Sequence, residues 1–245
     1  MDMVWNERAS DSPLVARIWH SRSEEATPFT SIASTHWEMV VTRCRGQTTL
    51  TVRGPETRAT PAVAPPDAEF VGVQFKRGTL IPLFPANTIL DRQDVTLPAL
   101  SPQTFCLDGS VWELPTFENA DTFVSRLVRQ GLLIYDPLVA DVLHGKRPAL
   151  SLRTVQRRIL KATGLTQATI FQIERARYAT QLLTEGVAIL DAVEQAGYFD
   201  QPHLTRALRH YIGFTPAHLI SPVRDKPLSF LYKTQPLVLS YDSSA

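Results

Sequence analysis

The chain has 245 residues, 44% hydrophobic and 20% charged, which excludes a wholly disordered chain and leaves room for two modest domains. The net charge of +1 hides an asymmetry: residues 1–120 carry 10 Lys/Arg against 14 Asp/Glu, and residues 121–245 carry 15 against 10. The C-terminal half thus has the basic balance of a polyanion binder, though many ordinary domains share such a surplus.

The N-terminal half reads as β. Glu38 to Cys44 and Thr48 to Arg53 are rich in Val, Thr and Leu, and Arg45-Gly46-Gln47 between them suits a hairpin loop. Phe70 to Phe75 is a further strand candidate. Prolines at 61, 65, 66, 82, 85, 98, 102 and 115 exclude long helices and favour short strands and turns.

From about residue 117 the period becomes helical. Ala120, Phe123, Val124, Leu127 and Val128 form one stripe. Asp136-Pro137 reads as an N-cap followed by proline at the first helical position, with Leu138, Val139, Val142 and Leu143 on the apolar face. Ser151 caps a third helix to about Thr163, stopped by Gly164. Thr166 caps a long fourth helix to about Glu185, stopped by Gly186. Ile189, Ala192, Val193 and Ala196 stripe a fifth, and Asp200 caps a sixth to about Ile212. A short last helix begins at Pro216. No run approaches the roughly 20 apolar residues of a membrane span, and the opening MDMVWNERASDSP lacks an apolar signal core. Cys44 and Cys106 are too few for a disulfide framework or a cysteine-rich zinc module. The expectation is a soluble cytoplasmic protein.

Two helix pairs, 137–143 with 151–162 and 188–196 with 201–211, each have the order of a helix-turn-helix, whose second helix enters the major groove of DNA. In SLRTVQRRILKATG, Leu152, Val155 and Ile159 fall on the face expected to pack, and Arg153, Gln156, Arg157 and Lys161 on the other. Arg pairs bidentately with guanine and Gln with adenine, while Arg158 and Lys161 sit at the margin, suited to phosphates. In DQPHLTRALRHYIG, Leu204 and Leu208 with Tyr211 or Ile212 form the buried stripe. Gln201, His203, Thr205, Arg206 and Arg209 stay outside. Each segment alone also fits an ordinary solvated helix face. Together, joined by one long helix, they fit two successive major grooves.

The stretch QATIFQIERARYATQLLTEGVAILDAVEQAGYFDQPHLTRALRHYIGFTPAHL resembles the AraC/XylS-type DNA-binding domain of bacterial transcription regulators. Its marks are RAR-x6-L, the run from Ile189 through GYFDQ-x-HLTRALR, and the closing GFTP. The resemblance covers about residues 117–221; before SLRTVQRRILKATGL it departs, with the turn HGKRPAL longer than usual. It implies base reading by Arg153, Gln156 and Arg157 in the first unit and by Gln201, His203 and Arg206 in the second. Ser151, Arg158, Lys161, Thr205 and Arg209 are expected at phosphates. The implied partner is double-stranded DNA in the nucleoid; a small-molecule effector, a second copy of the chain and RNA polymerase are further candidates, and no membrane is implied.

The expected fold class is α+β multi-domain: a β-rich, cupin-like sensing or pairing domain over 1–115, a double helix-turn-helix domain over 116–221, and a docked tail over 222–245. Few contacts are expected to cross the boundary near residue 115. Trp19, Trp37 and Phe75 are candidates to line an effector pocket, against ordinary core packing. His36 and Glu38, two apart, read as a surface pair rather than a metal site, and Cys44 as a buried, inert thiol. No catalytic motif occurs, so no enzyme activity, cofactor or metal is expected. The alternative reading is a small-molecule-binding β-domain whose helical part is a protein-interaction module.

Overall fold

The computed structural model describes residues 4–91 and 94–221; the tail expected to dock, 222–245, lies outside them. A β-rich N-terminal region is followed by a helical C-terminal region. Strands β1 (Val4–Arg8), β2 (Val15–Ser23), β3 (Thr27–Ser31), β4 (Glu38–Cys44), β5 (Gln47–Arg53), β6 (Thr60–Ala64), β7 (Ala68–Phe75), β8 (Thr79–Leu80) and β9 (Val95–Leu97) come first. The short strands β10 (Ala99–Ser101), β11 (Thr104–Leu107) and β12 (Ser110–Glu113) form a sheet of their own. The main sheet is antiparallel in the order β1-β2-β7-β4-β5-β9. The β4–β5 hairpin is one residue tighter than expected. Gln47 pairs with Cys44, leaving Arg45 and Gly46 as a two-residue turn, both with positive φ, as the twist of a hairpin requires.

Both faces of this sheet are covered, which explains the unbroken apolar run Met39–Val41 in β4. Met39, Val41, Val71, Val73 and Phe75 face one core cluster with Phe105 and Trp112. Val40 and Phe70 face a second cluster with Trp19 and Ala64, against which Trp5 and Phe29 pack. The second face is covered by the two-stranded antiparallel sheet β3–β6. Gly72 in β7 makes room for Trp19: a Cβ there would fall 2.0 Å from the indole.

Helix α1 (Ala120–Arg129) has the expected stripe, but its partner is the β unit. Ala120, Phe123, Val124 and Leu127 lie in the core cluster of the main sheet, and Arg8 binds the Phe117 carbonyl at 2.7 Å and Asp121 at 2.7 Å. The chain then adds β13 (Ile134–Tyr135) to β8. Only after that come α2 (Pro137–Leu143), α3 (Leu152–Thr163), α4 (Gln167–Thr184), α5 (Ile189–Gln195), α6 (Gln201–Tyr211) and α7 (Pro216–Ile220). Their starts follow the sequence closely. The side chains of Asp136, Ser151, Thr166, Asp200 and Thr215 each accept a backbone N–H of the first turn, and Gly164 ends α3 with φ +70°, a left-handed cap that glycine adopts freely.

The helical unit is not self-contained. Ile32, on the link between β3 and β4, packs among Ala179, Leu183, Leu204 and Leu208, and Ala33 among Val139, Val155, Ile159 and Ile173. The Ala33 N–H donates to the Tyr211 carbonyl at 2.7 Å, and the Ala59 N–H to the His210 carbonyl at 2.8 Å. A Cβ at Gly164 would come within 2.8 Å of the Ala86 carbonyl. On α4, Glu174 accepts from the Thr35 hydroxyl at 2.6 Å and from Arg77 at 3.0 Å, while Arg177 donates to the Ala33 carbonyl at 3.1 Å. Many contacts therefore cross residue 115, contrary to the expectation of few. Ile32, Ala33 and Ala59 meet the helices in a way that helical periodicity cannot reveal.

Two expectations follow. Glu174→Gln keeps the shape but leaves half-buried Arg77 and buried Arg177 without their carboxylate, so urea unfolding should show a loss of about 3 kcal/mol; a change under about 0.5 kcal/mol would show that the carboxylate is not needed. A fragment of residues 116–245 loses the partners of α1 and of Val139, Ile159 and Leu208. It should bind a hydrophobic dye and lack a cooperative thermal transition, whereas a sharp transition would show that the helical unit folds without the sheet.

Candidate nucleic-acid interface

Helix α3 buries Val155, Ile159 and Ala162 on one side and leaves a basic surface on the other. Val155 and Ile159 are buried against Val139, Val142 and Leu143 of α2. Arg153, Gln156, Arg157 and Lys161 are exposed. Four basic residues and no acidic one lie between Ser151 and Thr163, so every charge on this helix is positive. Leu152 departs from expectation: it is 69% exposed and does not join the packed face. It is the first residue of α3, where the helix has not yet turned its side chains over α2.

Arg158, expected at a phosphate, is already engaged. Its Nε and Nη2 meet the two carboxylate oxygens of Asp136 at 2.8 and 2.5 Å, a bidentate pair between α3 and the N-cap of α2 that raises the guanidinium's pKa. The Ser151 hydroxyl is occupied by the Thr154 N–H and hydroxyl. Of the residues expected at phosphates on α3, Lys161 keeps its side chain exposed to solvent.

On α6, Leu204, Leu208 and Ile212 are fully buried while Tyr211 is half-buried. Gln201, Arg206 and Arg209 are exposed, and His203 and Thr205 half-buried. The His203 ring stands edge-on to Tyr198 at 5.1 Å. Tyr198 is in turn covered by the Arg175 guanidinium, 4.2 Å from its ring centroid, and burial pushes its hydroxyl up to about 12. Arg175 thus fixes the α5–α6 turn onto α4, with a second bond to the Gly197 carbonyl at 3.3 Å. Arg175 and Arg177 belong to the RAR motif, yet sequence alone assigned them no role. Charged residues among the buried positions of a helix were the signal.

The effector candidates are corrected by their packing. Trp37 and Phe75 stack at 4.1 Å inside the main core, and the Trp37 indole donates to the Thr79 carbonyl at 2.7 Å. Trp19 lies in the other cluster, stacked on Trp5 with its indole N–H on Glu38 at 3.1 Å. The three rings therefore line no common pocket; they are core. A shallow cleft of about 320 Å³ lies elsewhere, lined by Gly46–Thr49 and Ala99–Pro102.

His36 and Glu38 are not a surface pair. Glu38 opens β4 facing Trp19 and Arg53, its carboxyl raised by burial. His36 lies before the strand, so the alternation rule does not apply to it, and burial with Arg77, Arg177 and Arg17 nearby holds its ring well below the usual value. Cys44 is only half-buried, its thiol 3.7 Å from the Pro66 carbonyl. Among the described residues no cluster of three or more His, Cys, Asp or Glu side chains is arranged as a metal site, and no helix is long and apolar enough to cross a membrane.

A family model described as a helix-turn-helix domain matches residues 146–221. The match spans α3 to α7 and supports an AraC-like DNA-binding domain there; it begins after α2. No curated protein and no solved structure matches the chain.

The half-buried His36, whose ring Nδ1 is shielded from solvent, gives a pH expectation. Its folded-state pKa is depressed, so the unfolded chain takes up the proton first as pH falls through about 6.5. Stability contributed by neutral His36 is present above that pH and lost below it. The urea midpoint of the wild type should fall between pH 7.5 and 5.5, and His36→Gln should shrink that fall; an equal fall in both would place the titration elsewhere.

Proposed function

We propose that this protein is a sequence-specific transcription regulator that reads duplex DNA with α3 and α6. The carrying observation is the helix-turn-helix match over 146–221 together with the exposed polar face that both helices keep. In this reading Arg153, Gln156 and Arg157 face bases in one major groove and Gln201, His203 and Arg206 in the next, with Lys161, Thr205 and Arg209 at the flanking phosphates. Ser151 supplies its helix N-terminus rather than its hydroxyl, and Arg158 holds α2. Helix α4 has 18 residues, about 27 Å at 1.5 Å per residue, comparable with the roughly 34 Å rise of one DNA turn. It is therefore long enough to seat the two units on one face of the duplex.

The β-rich unit serves for effector sensing or pairing of two chains. Its support is the hold that residues 32–35, 59 and 77 have on α4 and α6, through which a change in the sheet would reach the reading helices. Any partner on the transcription machinery would meet the faces left free by DNA.

Duplex titrations test the reading. Several phosphate contacts should give a linear fall of log K with log salt, with a slope near −0.9 per contact; a flat response would favour a protein-interaction role for the helices. On the best site Arg157→Ala should cost about 1–3 kcal/mol and relax preference at one or two base pairs. Lys161→Ala should weaken all sequences alike and reduce the slope by about one. Uniform loss in both variants would displace α3's reading face.

A further inference from the structure

Among the described residues five large apolar side chains are at least 60% exposed: Val63, Val111, Leu152, Leu190 and Phe199. Phe199 leads at 90% and Leu152 stands at 69%. Leu190 lies on α5, but Leu152 and Phe199 occupy related places. Leu152 is the first residue of α3, and Phe199 precedes Asp200, the N-cap of α6. Each helix assigned to base reading thus carries an exposed apolar side chain at its N-terminal end, the end that meets base edges in a helix-turn-helix.

The Phe199 ring is held out by its neighbours. Tyr198 is buried beneath Arg175, and its N–H donates to the Val193 carbonyl at 2.8 Å. The Asp200 carboxylate caps the His203 N–H at 2.7 Å. With both flanking residues fixed, the ring has little freedom to fold back onto α5. Leu152 is fixed similarly by the Ser151 cap. The surroundings say what covers these side chains. Exposed Arg153, Arg157 and Lys161 on α3, and Arg206 and Arg209 on α6, suit a polyanion and disfavour an apolar protein surface, which would bury those cations unpaired.

In the major groove the thymine C5-methyl is the apolar feature of the base edges, and Phe and aliphatic side chains detect it where Arg and Gln do not. We infer that Phe199 and Leu152 each contact a thymine methyl, adding apolar readout to the hydrogen-bonding residues behind them. This rests on the DNA-reading function proposed above.

The test uses the full chain and a duplex recovered by it from a random pool. Each thymine is replaced in turn by deoxyuridine, which removes only the methyl, and affinity is titrated at one salt concentration. The wild type should lose about fourfold at one thymine for each helix, the scale of one buried methyl. Phe199→Ala should lose discrimination at one of these positions and Leu152→Ala at the other, while both variants melt like the wild type because the side chains are exposed. A recovered duplex with no deoxyuridine-sensitive position, or with sensitivity that survives both variants, overturns the inference and leaves DNA reading standing. A Phe199→Ala variant that dissociates paired chains yet still distinguishes thymine from deoxyuridine also overturns it. Failure to enrich any duplex removes the DNA reading and the inference with it.

Discussion

The Glu174 carboxylate, 2% exposed, ties the two halves of this protein together. A buried carboxylate alone is costly, and the cost is offset only when its oxygens are well supplied with donors. Here Thr35 and Arg77 come from the β unit. One helical turn away Arg177 reaches the Ala33 carbonyl, so the same face of α4 both accepts from and donates to the link between β3 and β4. Burial lowers the Arg177 guanidinium to about 10, which still leaves it protonated at neutral pH. Removing either sign of charge would strand the other in the interior.

That arrangement makes the sheet a reference frame for the helices. The link carrying Ile32–Thr35 runs directly into β4, near the centre of the main sheet. Its other side inserts Ile32 and Ala33 into the two separate helical clusters, one around α5–α6 and one around α2–α3. Domains joined by a bare linker are expected to move relative to one another. Here a single short segment wedges into both helix pairs and hydrogen-bonds to the end of α6. An event in the sheet that shifted this wedge would move both pairs together, and binding that fixed the helices would by the same linkage stabilise the sheet.

What could be read from the sequence was local. Ser151, Thr166, Asp200 and Pro137 mark helix starts because capping involves residues two or three apart, and Gly164 and Gly186 mark ends for the same reason. β4 and β7 were legible because both their faces are apolar. β3 and β6 were not: Thr27–Ser31 and Thr60–Ala64 each contain a proline, lie far apart in the chain and pair as a two-stranded sheet with little apolar signal. A stripe such as Phe123, Val124 and Leu127 announces a buried face without saying what buries it, which is why α1 belongs to the sheet core. The same blindness applies to Trp19, Trp37 and Phe75, whose type suits a pocket as well as a core, and to Leu152, whose spacing matches a packed face that begins one turn later. The exposed polar residues of α3 and α6 were legible as a face, because each is the complement of a clear apolar stripe.

The two helix pairs are held by different means. Residues 144–151 separate α2 from α3, while 196–200 separate α5 from α6, so turn length alone would seat the first pair differently. In the first pair the bidentate Arg158–Asp136 contact ties α3 to the start of α2 over the Val139, Val155 and Ile159 packing, so the position of α3 does not depend on the longer turn. In the second, the short turn is itself the anchor: Tyr198 is buried under Arg175 and meets His203. This division explains which cations remain for an outside partner. Arg158 and Arg175 are occupied in holding helices, and because both sit at the packed margins, Arg153, Arg157, Lys161, Arg206 and Arg209 are left to face outward from helices already fixed in place.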